Sequence, residues 1–120
     1  MRFTAFLTGL LISFSQPASA DWQTISKKSD LQKAVVGKSW VNPQNGAWFR
    51  LRRNGKLAGG AGDKELAGAW AWKGKYLCFD RTLGGEAVPS DCVVVQVDGA
   101  SISTIRKQGR GSRATYIRKQ

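Results

Sequence analysis

The sequence predicts a mainly β fold, a small antiparallel meander, barrel or strongly curved sheet, with one short N-terminal helix and one disulfide. Three observations predict it. Turn signals recur at short intervals: Asn42-Pro43-Gln44-Asn45-Gly46, Asn54-Gly55, Gly59-Gly60-Ala61-Gly62-Asp63, Asp98-Gly99 and Gln108-Gly109-Arg110-Gly111. Such spacing, with β-forming runs between, is the pattern of an all-β meander. Helical periodicity occurs in a single stretch near residue 30. Finally, Cys78 and Cys92 are the only cysteines.

The first 20 residues are set apart. Arg2 is followed by an apolar run through Phe6, Leu7, Leu10, Leu11, Ile12 and Phe14, then Pro17 and Ala18-Ser19-Ala20. This is the pattern of a secretory signal peptide, and its apolar part is shorter than the roughly 20 residues that span a bilayer. The expectation is cleavage after Ala20, no transmembrane anchor thereafter, a periplasmic or secreted location, and one β-rich domain over 21–120. Of 19 Lys and Arg only Arg2 would be lost, so 18 basic residues face 8 acidic ones, a formal +10. In an oxidising compartment two cysteines in a small domain read as a Cys78–Cys92 disulfide. With no His and two Cys, no metal site is expected.

The helix is expected from Ser29 as cap, with Gln32 completing a Ser-x-x-Gln capping box, Leu31, Ala34 and Val35 as its apolar face, and Gly37 as its stop. Gly37-Lys38-Ser39 ends like a phosphate-binding loop. Position 32 is Gln rather than the first Gly of that motif, however, and the order is helix then GKS instead of strand, GKS, helix. Strands are expected over Lys38–Val41, Ala47–Arg53, Lys56–Ala58, two central runs around Trp70 and Tyr76, Cys92–Val97, Ala100–Lys107 and Arg113–Arg118, with a long loop from about Asp80 to Asp91. In the central hairpin, a three-residue loop Lys73-Gly74-Lys75 would set Trp70 opposite Cys78 and Trp72 opposite Tyr76. A two-residue loop would instead pair Trp72 with Lys75 and Trp70 with Leu77. The larger side chains gather on one face in the first.

Gly68-Ala69-Trp70-Ala71-Trp72, Tyr76-Leu77-Cys78, Gly84-Gly85, Cys92-Val93-Val94-Val95 and Gly109-Arg110-Gly111-Ser112 together resemble a pattern shared by short secreted bacterial proteins, some of which carry the name dihydrodipicolinate reductase. That resemblance implies NAD(P)H-dependent reduction. The residues do not supply it: no glycine fingerprint lies between a strand and a helix, and there is no His. The missing His also removes Ser-His-Asp and Cys-His nucleophile systems. Asp80, Glu86 and Asp91 could serve two-carboxylate chemistry, but in a Gly, Pro and Ser-rich stretch they read as solvating and turn residues. No catalytic residue and no cofactor is expected.

What remains is charge. Arg50, Arg52, Arg53 and Lys56 cluster on the Asn54-Gly55 hairpin, and Arg106, Lys107, Arg110 and Arg113 on the last two strands; Arg106, Arg110 and Arg113 fall at or near a turn, where their heads would be free. These eight residues are the expected anion-binding set. The reading is a monomeric, non-enzymatic binding module for an anionic polymer, a lipid surface or an acidic protein, with nucleic acid disfavoured by export. A second reading is a secreted inhibitor of a protease or other hydrolase. Leu66-Ala67-Gly68-Ala69-Trp70 resembles the Leu-Ala-Gly-x-Trp start of small-barrel inhibitors of bacterial alkaline proteases, and inhibition would need a projecting segment at Asp21–Ser26 or Leu83–Ser90.

Overall fold

The computed structural model describes residues 21–119, so the expected signal peptide lies outside the described residues. Nine strands and two short helices follow one another: β1 Gln23–Thr24, α1 Lys28–Ala34, β2 Ser39–Val41, β3 Trp48–Leu51, β4 Lys56–Ala61, β5 Lys64–Lys73, β6 Tyr76–Leu83, β7 Glu86–Asp98, β8 Ser101–Ile105, α2 Arg106–Gly109 and β9 Arg113–Arg118. Each strand from β2 to β9 pairs antiparallel with the next, and β9 returns to β2. The product is a closed up-and-down barrel of eight strands. Closure removes the free edges that an open sheet of this length would expose. The short β1 lies outside the ring, on the part of β7 that β6 leaves unpaired.

Alternation along the strands sorts the residues. Leu51, Leu57, Leu77, Val93, Val95 and Ile102 point inward and are buried, and Trp40 from β2 joins them. One end of this core is plugged by the segment that precedes the barrel. Ile25, Leu31, Val35 and Val36 are all buried against it, and the Trp40 indole Nε1–H donates to the Val35 carbonyl at 3.1 Å. A seven-residue helix would not persist alone in water; its apolar face makes it stable here. The expected capping box does not form. The helix begins at Lys28 with Lys27 at the N-cap and no side-chain cap, which places Ser29 inside the first turn, past the position from which it could cap. At the other end Lys38 Nζ donates to the Lys33 and Ala34 carbonyls, a cation on the helix C-terminus.

The central hairpin turns on two residues, Gly74-Lys75, and its register is neither of those expected. Trp70 pairs with Phe79, Trp72 with Leu77 and Ala71 with Cys78. A shift by one residue exchanges the faces. Both tryptophans join Leu77 and Phe79 on the inner wall, and Cys78 moves to the outer one. There it meets its direct cross-strand partner Cys92 in the expected disulfide, with Cα atoms 4.0 Å apart.

The expected long loop between Asp80 and Asp91 is instead sheet. β6 runs on to Leu83 and turns at Gly84-Gly85, and β7 starts at once with Glu86. Both glycines have positive φ, 60° and 85°, as a two-residue hairpin turn of the favoured hand requires. Farther along, Phe79 pairs with Asp91 and Arg81 with Val88, so Asp80 alone faces Pro89 and Ser90. This is a β-bulge, and it accommodates a proline that has no N–H for the ladder. It also keeps both Val88 and Asp91 on the inner wall although three positions separate them. Gly68, opposite Arg81 on β5, is needed for the same corner: a Cβ there would run into the Asp80 carbonyl and lie 2.7 Å from the Arg81 Cα. β4 likewise continues through Gly59 and Gly60, where a loop was expected.

Candidate functional site

The meander places alternate connections at opposite ends of the barrel. The end closed by α1 carries the Asn54-Gly55, Gly74-Lys75 and Gly99-Ala100 turns. The other carries residues 42–47, Gly62-Asp63, Gly84-Gly85 and the α2 segment. At this second end the core does not fill the barrel. A cavity of about 310 Å³ opens there, with Leu51, Leu57, Leu77 and Val93 deep inside and Phe49, Leu66, Phe79 and Tyr116 along its walls. An eight-stranded barrel is the size at which the interior either fills with side chains or holds one small ligand. Here the helix fills one half and leaves the other free.

Three charged side chains reach this apolar chamber. Arg81 projects from β6 between Phe79 and Leu83, half-buried, its guanidinium carbon 4.5 Å from the centre of the Phe79 ring. Asp91 and Arg106 stand at the mouth. Arg106 Nε donates to Asp91 Oδ2 at 3.2 Å, and the Lys107 backbone N–H donates to Asp91 Oδ1 at 3.1 Å. Among the described residues this is the only salt bridge, so Asp91 belongs to Arg106, and no carboxylate lies within 4.0 Å of Arg81. Tyr116 meets Phe49 edge-on at 4.9 Å between ring centres and completes the aromatic wall.

The ionisation of these groups follows from their places. Burial lowers the Arg81 pKa, and repulsion from Arg106 lowers it further, while Asp91 and Tyr116 partly offset both. The guanidinium is still charged at any ordinary pH, but it is held at a disadvantage that a bound anion would relieve. Burial raises the Tyr116 pKa, so its phenol stays protonated and can donate. For Asp91 burial pushes upward, but the hydrogen bonds from Arg106 and from the Lys107 and Cys92 backbone outweigh it, and the carboxyl titrates below its ordinary value. A carboxyl whose pKa is lower folded than unfolded stabilises the fold above its unfolded pKa, about 3.9, and loses that contribution as pH falls through the lower folded value. Urea midpoints measured between about pH 5 and about pH 2 should therefore fall less steeply for Asp91→Asn than for the parent chain. Equal slopes would show that Asp91 carries no such linkage.

Asp91 also tethers α2, whose Lys107 and Gln108 both sit at positive φ, 53° and 56°. The sequence reading of Asp91 as a turn residue is thus corrected: it is a strand residue facing inward, turned there by the bulge.

The eight expected anion-binding residues do not form one face. Arg52, Arg53 and Lys56 lie around the Asn54-Gly55 turn at the closed end, and Arg50 lies on the outer wall of β3, its Nε donating to Ser39 Oγ at 3.1 Å. Arg106, Lys107 and Arg110 belong to the α2 segment at the open end. Two heads expected to be free are engaged. Arg106 is paired with Asp91, and Arg113 donates to Ser103 Oγ and Gln96 Oε1 at 2.7 and 2.8 Å beneath the Trp22 ring, sealing the fully buried Ser103 on the outer wall. The two segments the inhibitor reading requires are placed differently, the first pinned along β7 and the second forming an exposed hairpin tip. Asp21–Ser26 is held by the Asp21 N–H on Asp98 and by the Ile25 N–H on the Val95 carbonyl, and Leu83–Ser90 is the β6–β7 hairpin.

The reading from sequence missed Arg81, Phe49, Phe79 and Tyr116. A signal for Arg81 exists in the alternation Leu77, Phe79, Arg81, Leu83, which continues the inner face once the strand is carried past Asp80.

Comparison with protein-family models, curated proteins and solved structures finds no match to this chain.

Proposed function

We propose that this protein is a small, non-enzymatic binding barrel of the periplasm or extracellular space that takes up an anionic amphiphile, apolar end inward. The observation that carries the reading is Arg81, a half-buried cation with no carboxylate partner among the described residues, set in the wall of an otherwise apolar cavity. Unpaired charge inside a protein is costly, and a ligand carboxylate or comparable oxyanion would accept its hydrogen bonds in the fork geometry a guanidinium favours. The protonated Tyr116 phenol lines the same chamber. The cavity sets two guanidinium groups, Arg81 and Arg106, against the single Asp91 carboxylate, a net positive charge that a ligand carboxylate would balance.

The chamber sets the size. At about 30 Å³ for each water-sized unit, 310 Å³ accepts roughly ten heavy atoms, the scale of a medium-chain fatty acid or an aryl carboxylate. Such sites are mostly apolar with a few polar groups that fix orientation. The expectation of an anionic partner is kept in this form, with the charge recognised inside the barrel.

Calorimetric titration of the purified, oxidised chain tests it. Decanoate should bind, while decanol, which lacks the charge, and glutarate, which lacks the tail, should bind at least tenfold more weakly. Equal affinity for decanol and decanoate would remove Arg81 from the reading, and no binding of any of the three would overturn it.

A further inference from the structure

Only two large apolar side chains among the described residues are conspicuously exposed, Trp48 at 37% and Ile117 at 43%. They occupy one row of the outer wall: Ile117 pairs with Val41, and Val41 pairs with Trp48. The row crosses β9, β2 and β3. Beside it Ser39, Trp48, Arg50, Arg52 and Lys119 line a shallow groove that contains three cations and no acid. The next residues in the row beyond Trp48 are Gly60 and then Glu65, two strands away. Trp48 also forms part of the rim of the cavity, so this outer patch and the mouth of the barrel adjoin.

We propose that this wall docks the barrel on an anionic phospholipid bilayer. An indole and a β-branched chain set among Lys and Arg heads match the water–bilayer boundary, where aromatic rings sit at headgroup depth and cations meet lipid phosphates. Charge argues against a second copy of this chain as the occupant. Symmetric packing on the patch would bring Arg50, Arg52 and Lys119 against their own equivalents, whereas an anionic surface complements them. With the patch on the bilayer, the adjoining mouth lies close to the boundary where an amphiphile resides. That last point rests on the cavity reading; the docking itself does not.

Flotation with vesicles tests it without any cavity ligand. The chain should float with phosphatidylglycerol-containing vesicles and not with pure phosphatidylcholine, and the fraction bound should fall as salt is raised. Each cation near an anionic surface is worth about fivefold in partition, so Arg50→Gln with Arg52→Gln should weaken binding by about 25-fold. Trp48→Ser should weaken it by roughly tenfold through lost apolar contact. Lys27→Gln with Lys28→Gln removes the same charge at the helix and should cause much less loss. Equal losses for the two double variants would reduce the effect to net charge and overturn the proposal. So would absence of binding to either vesicle, or a concentration-dependent dimer in sedimentation that Trp48→Ser abolishes. Vesicle binding by a chain that fails to take decanoate would leave the docking surface standing and remove the cavity reading.

Discussion

Arg81→Leu is expected to weaken decanoate binding by about 10- to 150-fold while leaving the barrel as stable as the parent or up to about 1 kcal/mol more stable. The two effects share one cause. A hydrogen bond to a charged group contributes about 1.5–3 kcal/mol, and a factor of ten in affinity corresponds to about 1.4 kcal/mol. In the free protein that interaction is missing. The guanidinium is half-buried beside Phe79, and burial together with the Arg106 charge disfavours its ionised form. A leucine would place apolar atoms against Phe79, Leu83 and Val88 and remove a charge that has no carboxylate within salt-bridge distance. Replacing buried charge by packed apolar groups is often neutral or stabilising. A structural arginine would behave in the opposite way, since its removal would lower stability. The pair of measurements is calorimetric affinity and the urea midpoint on the same variant. Unchanged decanoate affinity would dismiss Arg81 as the anion site. A loss of stability greater than about 1 kcal/mol would show that the residue holds the barrel together instead. Arg81→Lys should fall between the two: it keeps the charge but loses the planar fork, so part of the affinity should return.

The architecture was legible in the sequence because turns and alternation are local properties. Asn54-Gly55 turns where its dipeptide predicts, and Arg113–Arg118 is a strand over the expected residues, whereas α1 ends at Ala34 with Val35 as its C-cap, short of the expected stop at Gly37. Two features resisted. One is the segment from Asp80 to Asp91, whose glycines, proline and serine carry the composition of a loop but form a two-residue turn and a bulge. Composition marks a departure from regular strand; only the neighbouring strands decide whether it spans one residue or ten. The second is register. Tyr76, Leu77, Cys78 and Phe79 are all good strand residues, so the hairpin alone allows more than one pairing, and the helix-plugged core selects the one that turns Trp70 and Trp72 inward. The site was lost through the first of these. With the strand ended at Asp80, Arg81 falls in a loop, and with Asp91 read as a turn residue the ion pair to Arg106 has no meaning. Basic residues grouped by their place along the chain were then scattered by the meander. Arg53 and Arg110 belong to opposite ends of the barrel because their hairpins point in opposite directions.

Loss of the disulfide should separate stability from binding. Cys78 and Cys92 lie 14 positions apart, and a loop of about 15 residues is worth roughly 3 kcal/mol of unfolded-chain entropy. The bond joins residues already paired across β6 and β7, so it holds together the two strands that carry Phe79, Arg81 and Asp91. Yet it does so from outside. The strand register that turns Leu77 and Phe79 inward turns Cys78 outward, and neither sulfur reaches the chamber. Cys78→Ala with Cys92→Ala should therefore lower the melting temperature by about 12–24 °C, at 4–8 °C for each kcal/mol in a domain of this size. Decanoate affinity, measured well below that transition, should stay within about threefold of the parent, because the cavity wall is set by the β6–β7 ladder and the packing of Leu77 and Val93, both nearly fully buried. Reduction of the parent chain should reproduce the double variant. A melting temperature that stays within a few degrees would mean that the closed ladder already supplies the constraint. If instead affinity fell along with stability, the ladder at Phe79 and Asp91 would depend on the bond, and the wall carrying Arg81 would be held by covalent closure more than by the sheet.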